Sequence, residues 1–111
     1  MAKDVKPIIV KDDETGLEYT LEFNRESVRF AESRGFKVQE VEDYPMTLLY
    51  ELWFYAFRMH HKSVSRQKTD ALLDELGGVM NAPDGLFARL GELYTEGFNT
   101  LTENPTVTVT F

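Results

Sequence analysis

The chain has 111 residues, of which 42% are apolar and 28% are charged, and this predicts one globular domain around a single core rather than a disordered chain. The absence of cysteine excludes disulfides, thiolate catalysis and zinc-finger ligation. The formal net charge of −7 makes nucleic-acid binding an unfavoured function, because an acidic protein and a phosphate backbone repel each other at long range.

Residues 7–23 predict a β-hairpin. The stretch IIV supplies the first strand, and DDETG supplies a turn in which Gly16 can take a positive φ. In the second strand every other residue is apolar, namely Leu17, Tyr19, Leu21 and Phe23. This alternation is typical of a strand with one buried face.

Four helices are predicted after the hairpin, over residues 25–34, 45–62, 66–76 and 84–101. Asn24 and Ser65 are suited to cap the first and third helices, because their side chains can accept from free backbone amides. Gly35 fits the left-handed position after the first helix, and Pro45 fits the first position of the second. Between these helices, residues 37–45 are predicted as a connector with one helical turn, and VMNAPDG as a loop.

The second predicted helix contains LWFYAFRMHH, at residues 52–61, and it is apolar on most of its circumference. Such a helix is normally wrapped by other elements, so a central core helix is one interpretation. The other is that part of its aromatic surface seals an interface, where aromatic residues are enriched. The candidate partner-binding residues on this helix are Tyr50, Trp53, Phe54, Tyr55 and Phe57. Alanine at Trp53 is expected to destabilise the fold, and alanine at Tyr50 or Tyr55 to weaken association.

Residues 46–68 carry one acid and four bases and form the only net positive segment. Three of these bases, Arg58, Arg66 and Lys68, are further candidates for partner binding. The segment is interpreted either as a solvated corner or as a surface that meets an acidic partner. Its adjacent histidines, His60 and His61, point about 100° apart on a helix and do not readily share one metal ion. No metal and no cofactor is therefore predicted.

No catalytic constellation is found in the sequence. Ser63 and Ser65 have no nucleophile elbow around them, and no phosphate-binding glycine pattern is present. The longest apolar run, Leu52 to Phe57, is too short to cross a bilayer, and the first ten residues do not form a secretion signal. The sequence predicts a protein that is not an enzyme and does not enter a membrane.

The last residues, 105–111, alternate strictly between threonine and an apolar side chain. They are interpreted as an added edge strand, in this chain or in another subunit, or as a loose tail. The sequence as a whole predicts an α+β fold that is mostly helical, with the hairpin packed on about four helices. Residues 1–104 are expected to form the globular domain.

Three stretches together resemble the small tail assembly chaperones of long-tailed bacteriophages and prophages. These are YTLEFNRESVRFAESRGF, LLYELWFYAFRMHHKSVSRQKTDALLDELGG and LFARLGELYTEGFNTL, which span roughly residues 17–101. The shared pattern is a hairpin ending in phenylalanine and an Asn-Arg step, an aromatic helix ending in histidine, a Thr-Asp helix ending in glycine, and a final helix with LY and a later asparagine. The resemblance consists of the order and character of these elements and includes no active-site motif.

The resemblance implies a non-enzymatic assembly factor. Such proteins bind the tape measure protein, keep its apolar helices soluble and help to recruit the major tail protein. The resemblance implies work in the cytoplasm of a bacterial host and absence from the mature virion, and we also expect self-association. Many members are also made in a longer, frameshifted form. The family has no catalytic residues to transfer to this chain.

A function of a different class is the alternative. The basic residues within 58–68 could serve a small prophage-encoded regulator or a nucleic-acid-associated protein. A salt-sensitive mobility shift that is lost when Arg66 and Lys68 are changed would favour this alternative over the chaperone.

Overall fold

The structure is a computed structural model that describes residues 6–98 and 108–111. It contains an antiparallel two-stranded hairpin and five α-helices, with 54% of the described residues helical and 8% in strands. This confirms the α+β, mostly helical fold expected from the sequence. The buried apolar side chains of the described residues form one cluster, to which the hairpin and the helices contribute.

The hairpin consists of β1 (Ile8–Lys11) and β2 (Glu18–Leu21), with Val10 opposite Tyr19. Gly16 has a φ of 76°, which glycine adopts without the strain of a Cβ. The predicted apolar face is correct for the residues from Tyr19 onward, which are buried. It is wrong for Leu17, whose side chain is 55% exposed, because Leu17 lies in the turn before β2 begins.

Helix α1 (Arg25–Ser33) begins as its sequence predicts. The Asn24 side chain accepts from the Ser27 amide at 2.8 Å, and the Ser27 hydroxyl accepts from the Asn24 amide at 2.8 Å, so the two residues form a capping box. The helix ends before Gly35, which has a φ of 90°, and the chain then buries Phe36. A short 3-10 turn at Val38–Glu40 matches the helical turn expected in the connector.

Helix α2 (Pro45–Phe57) is the central element, packed against α1, the 3-10 turn, β2 and the helices described below. The prediction that it extends to residue 62 is wrong. Its carbonyl at Ala56 accepts from the Glu22 amide of the hairpin at 3.1 Å, and the Arg58 amide turns back to Tyr55. The Ala56 carbonyl is thus satisfied from outside the helix, and the regular helix ends at Phe57.

Three further helices follow: α3 (Arg66–Glu75), α4 (Gly78–Asn81) and α5 (Leu86–Phe98). The Ser65 side chain accepts from the Lys68 amide at 3.1 Å, which confirms the predicted cap of α3. The short α4 corrects the prediction of a continuous loop. It packs on α2, which supplies the stability that a four-residue helix lacks alone.

The sequence prediction for the C-terminal part of the chain can be compared with the structure only in part. The part of the last predicted helix beyond residue 98, and residues 105–107, lie outside the described residues. Residues 108–111 belong to no strand, and Val109 and Phe111 are exposed. An edge strand within this chain is therefore not found in residues 108–111, and the other two interpretations, a strand in another subunit and a loose tail, stay predictions.

Candidate functional site

Three of the aromatic candidates on α2 are core residues. Trp53 is fully buried, and Tyr55 and Phe57 are 5% and 1% exposed. Because these side chains contact the interior of their own chain, they offer almost no surface to a partner in this fold. The partner-binding role predicted for them is corrected to a packing role, and alanine at Tyr55 is expected to harm folding as alanine at Trp53 does.

Trp53 joins α2 to α3. Its indole Nε1 donates to the Thr69 carbonyl oxygen at 2.8 Å, so the one polar group of the side chain is satisfied inside the core. The Trp53 ring meets the Phe57 ring edge-on at 5.3 Å between centroids, and Phe57 in turn meets Tyr19 of β2 at 5.4 Å. This row of rings connects the helices to the hairpin.

Tyr55 belongs to a second aromatic row on the other side of α2. Its ring lies 5.7 Å from Phe36, 6.0 Å from Phe30 and 5.3 Å from Phe54, measured between centroids. Burial, with a smaller contribution from the Glu51 carboxylate, raises the pKa of Tyr55. The hydroxyl therefore stays protonated at neutral pH, and no proton-transfer role is indicated for it.

The other two aromatic candidates are partly exposed. The Tyr50 hydroxyl bonds to the Asp74 carboxylate on α3, and this hydrogen bond raises the pKa of Tyr50. The Phe54 ring is partly covered by the Arg66 guanidinium, 5.2 Å from its centroid. Tyr50 and Phe54 thus have surface that a partner can reach, and their partner-binding role stays a prediction.

The basic candidates do not form the free patch expected from the sequence. Lys68 pairs with the buried Asp12 carboxylate at 2.7 Å, and Arg66 pairs with Asp70 at 3.2 Å. The hydrogen bond from Lys68 lowers the pKa of Asp12. Since these two cations are neutralised within the chain, the structure gives little support to a nucleic-acid surface built on them.

The third basic candidate, Arg58, stacks on another part of the fold. Its guanidinium lies 3.9 Å from the centroid of the Phe30 ring on α1, a cation–π contact. This contact brings the turn after α2 against α1. Arg25 and Arg29 of α1 line a groove between α1 and this turn, and neither was a candidate from the sequence. Their spacing of four residues indicates that both lie on one face of a helix, but nothing in the sequence places α1 beside this turn.

The two histidines fasten the hairpin to the end of α2. His61 Nε2 accepts from the Thr20 amide at 2.9 Å, so the ring is neutral with its proton on Nδ1. His60 Nε2 lies 2.7 Å from the Glu22 carboxylate. Among the residues that the structure describes, no three histidine, aspartate or glutamate side chains are grouped to hold a metal ion.

The largest exposed apolar side chains near α2 lie at its beginning. Tyr44 is 62% and Met46 is 63% exposed, and Met80 of α4 is 84% exposed. A Cβ built on Gly78 would lie 3.2 Å from the Tyr50 hydroxyl, so α4 begins beside Tyr50, one turn along α2 from Met46. We call Tyr44, Met46 and Met80 the methionine surface. Sequence reasoning missed it, because Met46 was counted with the apolar helix and Met80 with a loop.

No helix within residues 6–98 is both long and apolar enough to span a membrane. The chain belongs to the family described as Domain of unknown function (DUF5055), whose profile matches residues 1–110. A search of curated proteins and a search of solved structures each found no match.

Proposed function

We propose that this protein is a non-enzymatic assembly chaperone that holds an apolar helical segment of a partner. The partner proposed from the family resemblance is a phage tape measure protein, and recruitment of the major tail protein is the associated step. The site of action is the cytoplasm of a bacterial host, and the protein leaves before the virion is complete. The observation that carries the holding function is the methionine surface.

The methionine surface consists of large apolar side chains that the fold leaves in water. Tyr44, Met46 and Met80 are each more than half exposed, although the same fold fully buries Trp53. Tyr44 and Met46 lie at the start of α2 and Met80 lies on α4, which packs on α2, and exposed apolar side chains on neighbouring elements are a feature of surfaces that bind another protein. Methionine is unbranched and flexible, and this lets one surface fit the varied side chains along a long helical partner.

The position of the methionine surface allows binding without unfolding. Met46 lies in the first turn of α2, and the first buried residue of that helix is Leu48. Tyr50 and its bond to Asp74 lie between this turn and the aromatic core. A partner helix can therefore cover the methionine surface while the core around Trp53 stays intact.

Coexpression with a tape measure protein tests the proposal. The double variant Met46→Glu, Met80→Glu places two charges on the methionine surface, and a glutamate in the first turn of α2 is favourable to the helix itself. We expect this variant to fold and to lose the ability to keep the tape measure protein soluble. The matched control is Ile9→Glu, which charges another apolar residue, 57% exposed on the hairpin, and should retain that ability.

The proposed function is contradicted if the double variant and the control keep equal amounts of tape measure protein in solution. It is also contradicted if the unchanged chain has no effect on that solubility. Circular dichroism and the fluorescence of the single tryptophan show whether each variant is folded, so that a loss of function is assigned to the surface.

A further inference from the structure

An open groove lies between α1 and the turn that follows α2. Arg25 and Arg29 lie on one side, and Arg58 and Lys62 lie on the other. The groove encloses about 1020 Å³, which is more space than one small anion fills. We call it the cationic groove. It is distinct from the methionine surface, which lies at the opposite end of α2.

The cationic groove is positive within an acidic chain. Its four basic side chains are accompanied by two carboxylates, Glu26 and Glu32, which leaves an excess of two positive charges, whereas the whole chain carries −7. Among the described residues, Arg25, Arg29 and Lys62 have no ion-pair partner within 4.0 Å. They therefore differ from Arg66 and Lys68, whose charges are already neutralised by nearby carboxylates.

The groove also has an apolar part, formed by Phe30 and Met59. The Arg58 guanidinium carbon lies over the Phe30 ring, 3.9 Å from its centroid, and that of Arg34 lies 5.0 Å from the same centroid. Stacking on a ring fixes the orientation of a guanidinium and leaves the N–H groups at its edge free. In this orientation a guanidinium can bind a carboxylate through two hydrogen bonds. The groove can thus contact a carboxylate and an apolar side chain of the same ligand.

We propose that the cationic groove binds an acidic peptide segment of a partner protein that also carries apolar side chains. The proposal rests on the proposed function and deepens it, because it names the chemistry of a second contact with the chaperone's partner. Carboxylates of the segment pair with the four basic side chains of the groove, and an apolar side chain packs at Met59, because Arg58 already lies over the Phe30 ring. A nucleic acid fits less well, since its continuous run of phosphates would extend beyond the groove onto a chain whose net charge is −7.

The test uses a short, fluorescently labelled peptide in which aspartates and glutamates flank leucine and phenylalanine, added to the full chain. A peptide with lysine in place of every acid and a single-stranded DNA oligonucleotide serve as comparison probes. Fluorescence anisotropy should show binding of the acidic peptide, weakening as salt is added because the contacts are partly exposed charges. The lysine peptide and the oligonucleotide should bind more weakly.

Variants locate the binding. Arg29→Gln and Lys62→Gln each remove one exposed cation, and we expect each to weaken acidic-peptide binding by about tenfold. The control Lys37→Gln removes an exposed cation outside the groove and should leave the affinity unchanged. Neither groove variant changes a buried contact, so the thermal unfolding of all three proteins should be the same.

The proposal is overturned if the lysine peptide binds as well as the acidic one, if Arg29→Gln and Lys62→Gln bind like the control, or if the oligonucleotide binds most tightly. The double variant Met46→Glu, Met80→Glu separates this result from the proposed function. Its acidic-peptide affinity should equal that of the unchanged chain even when it no longer holds a tape measure protein. Failure of the peptide test alone refutes the groove, and failure of the solubility test alone refutes the holding function.

Discussion

The backbone amide of Thr20 donates a hydrogen bond to Nε2 of His61 at 2.9 Å, across 41 positions of the chain. The next outward-facing amide of the hairpin, at Glu22, donates to the Ala56 carbonyl oxygen at 3.1 Å. Together these bonds cover the outer edge of β2, which would otherwise expose unpaired amides. The edge is therefore joined to the end of α2, and one of its two bonds depends on a neutral histidine.

The first prediction concerns pH. Burial, and to a smaller degree the neighbouring His60, lowers the pKa of His61 below its ordinary value of 6.5. The unfolded chain then binds a proton before the folded chain does, so the stabilisation is complete above about pH 6.5 and is lost as pH falls through the folded pKa. We expect the free energy of unfolding, measured by denaturant titration, to decrease over that interval.

The variant His61→Gln tests this origin. Glutamine can accept from the Thr20 amide but does not titrate, so we expect this variant to remain folded at neutral pH and to lose much of the dependence between pH 7 and 5. The control His60→Gln keeps the Thr20 bond and should keep most of the dependence, because burial is the larger cause of the lowered pKa of His61. An unchanged pH profile in His61→Gln would assign the effect to another group.

The second prediction concerns the contact of α5 with α1. A Cβ on Gly97 would lie 2.6 Å from Val28 Cγ2, which is closer than carbon atoms approach, and 3.1 Å from Phe23 Cβ, which is a tight contact. Gly97→Ala must therefore displace the Val28 side chain or separate α5 from α1, and we expect a loss of about 1–3 kcal/mol in the free energy of unfolding. Denaturant titration followed by tryptophan fluorescence measures it.

Gly91 provides the matched control on the same helix. A Cβ there would meet no atom within 4 Å, and alanine is a better helix former than glycine. Gly91→Ala is expected to raise the free energy of unfolding by up to about 1 kcal/mol. Equal effects of the two substitutions would contradict the close packing inferred at Gly97.

The third prediction concerns the Tyr94 hydroxyl. Tyr94 is 1% exposed, and its hydroxyl has no hydrogen-bond partner among the described residues. Burial raises its pKa to about 12, so the group is a neutral phenol. Tyr94→Phe keeps the ring contacts to Phe23 and Phe36 and removes the unsatisfied group, so we expect a gain of about 1 kcal/mol. A loss of similar size in thermal or denaturant unfolding would show that the hydroxyl is satisfied.

The local features of the fold could be predicted from the sequence because their causes are local. Asn24 caps α1 through a residue three positions away, and Pro45 begins α2 because its missing amide proton is not needed there. The end of α2 could not be predicted in this way. It depends on the Glu22 amide of the hairpin, which the chain brings to Ala56 only after folding.

The candidate site was predicted only in part, for a related reason. A helix that is apolar on most sides contains no signal for which ring faces inward, so Trp53 and Phe54 could not be distinguished from the sequence. The charges of Lys68 and Arg58 were identified, but their partners Asp12 and Phe30 come from distant segments. The cationic groove depends on the same kind of long-range contact.

The central claim is that the methionine surface contacts the partner. The most direct measurement places a photo-crosslinking amino acid at Met80 and, separately, at Ile9, which is also exposed, in a chain coexpressed with a tape measure protein. We expect irradiation to join the two proteins from position 80 and not from position 9. Crosslinking from position 9 alone, or from neither position while the complex still copurifies, would contradict the claim.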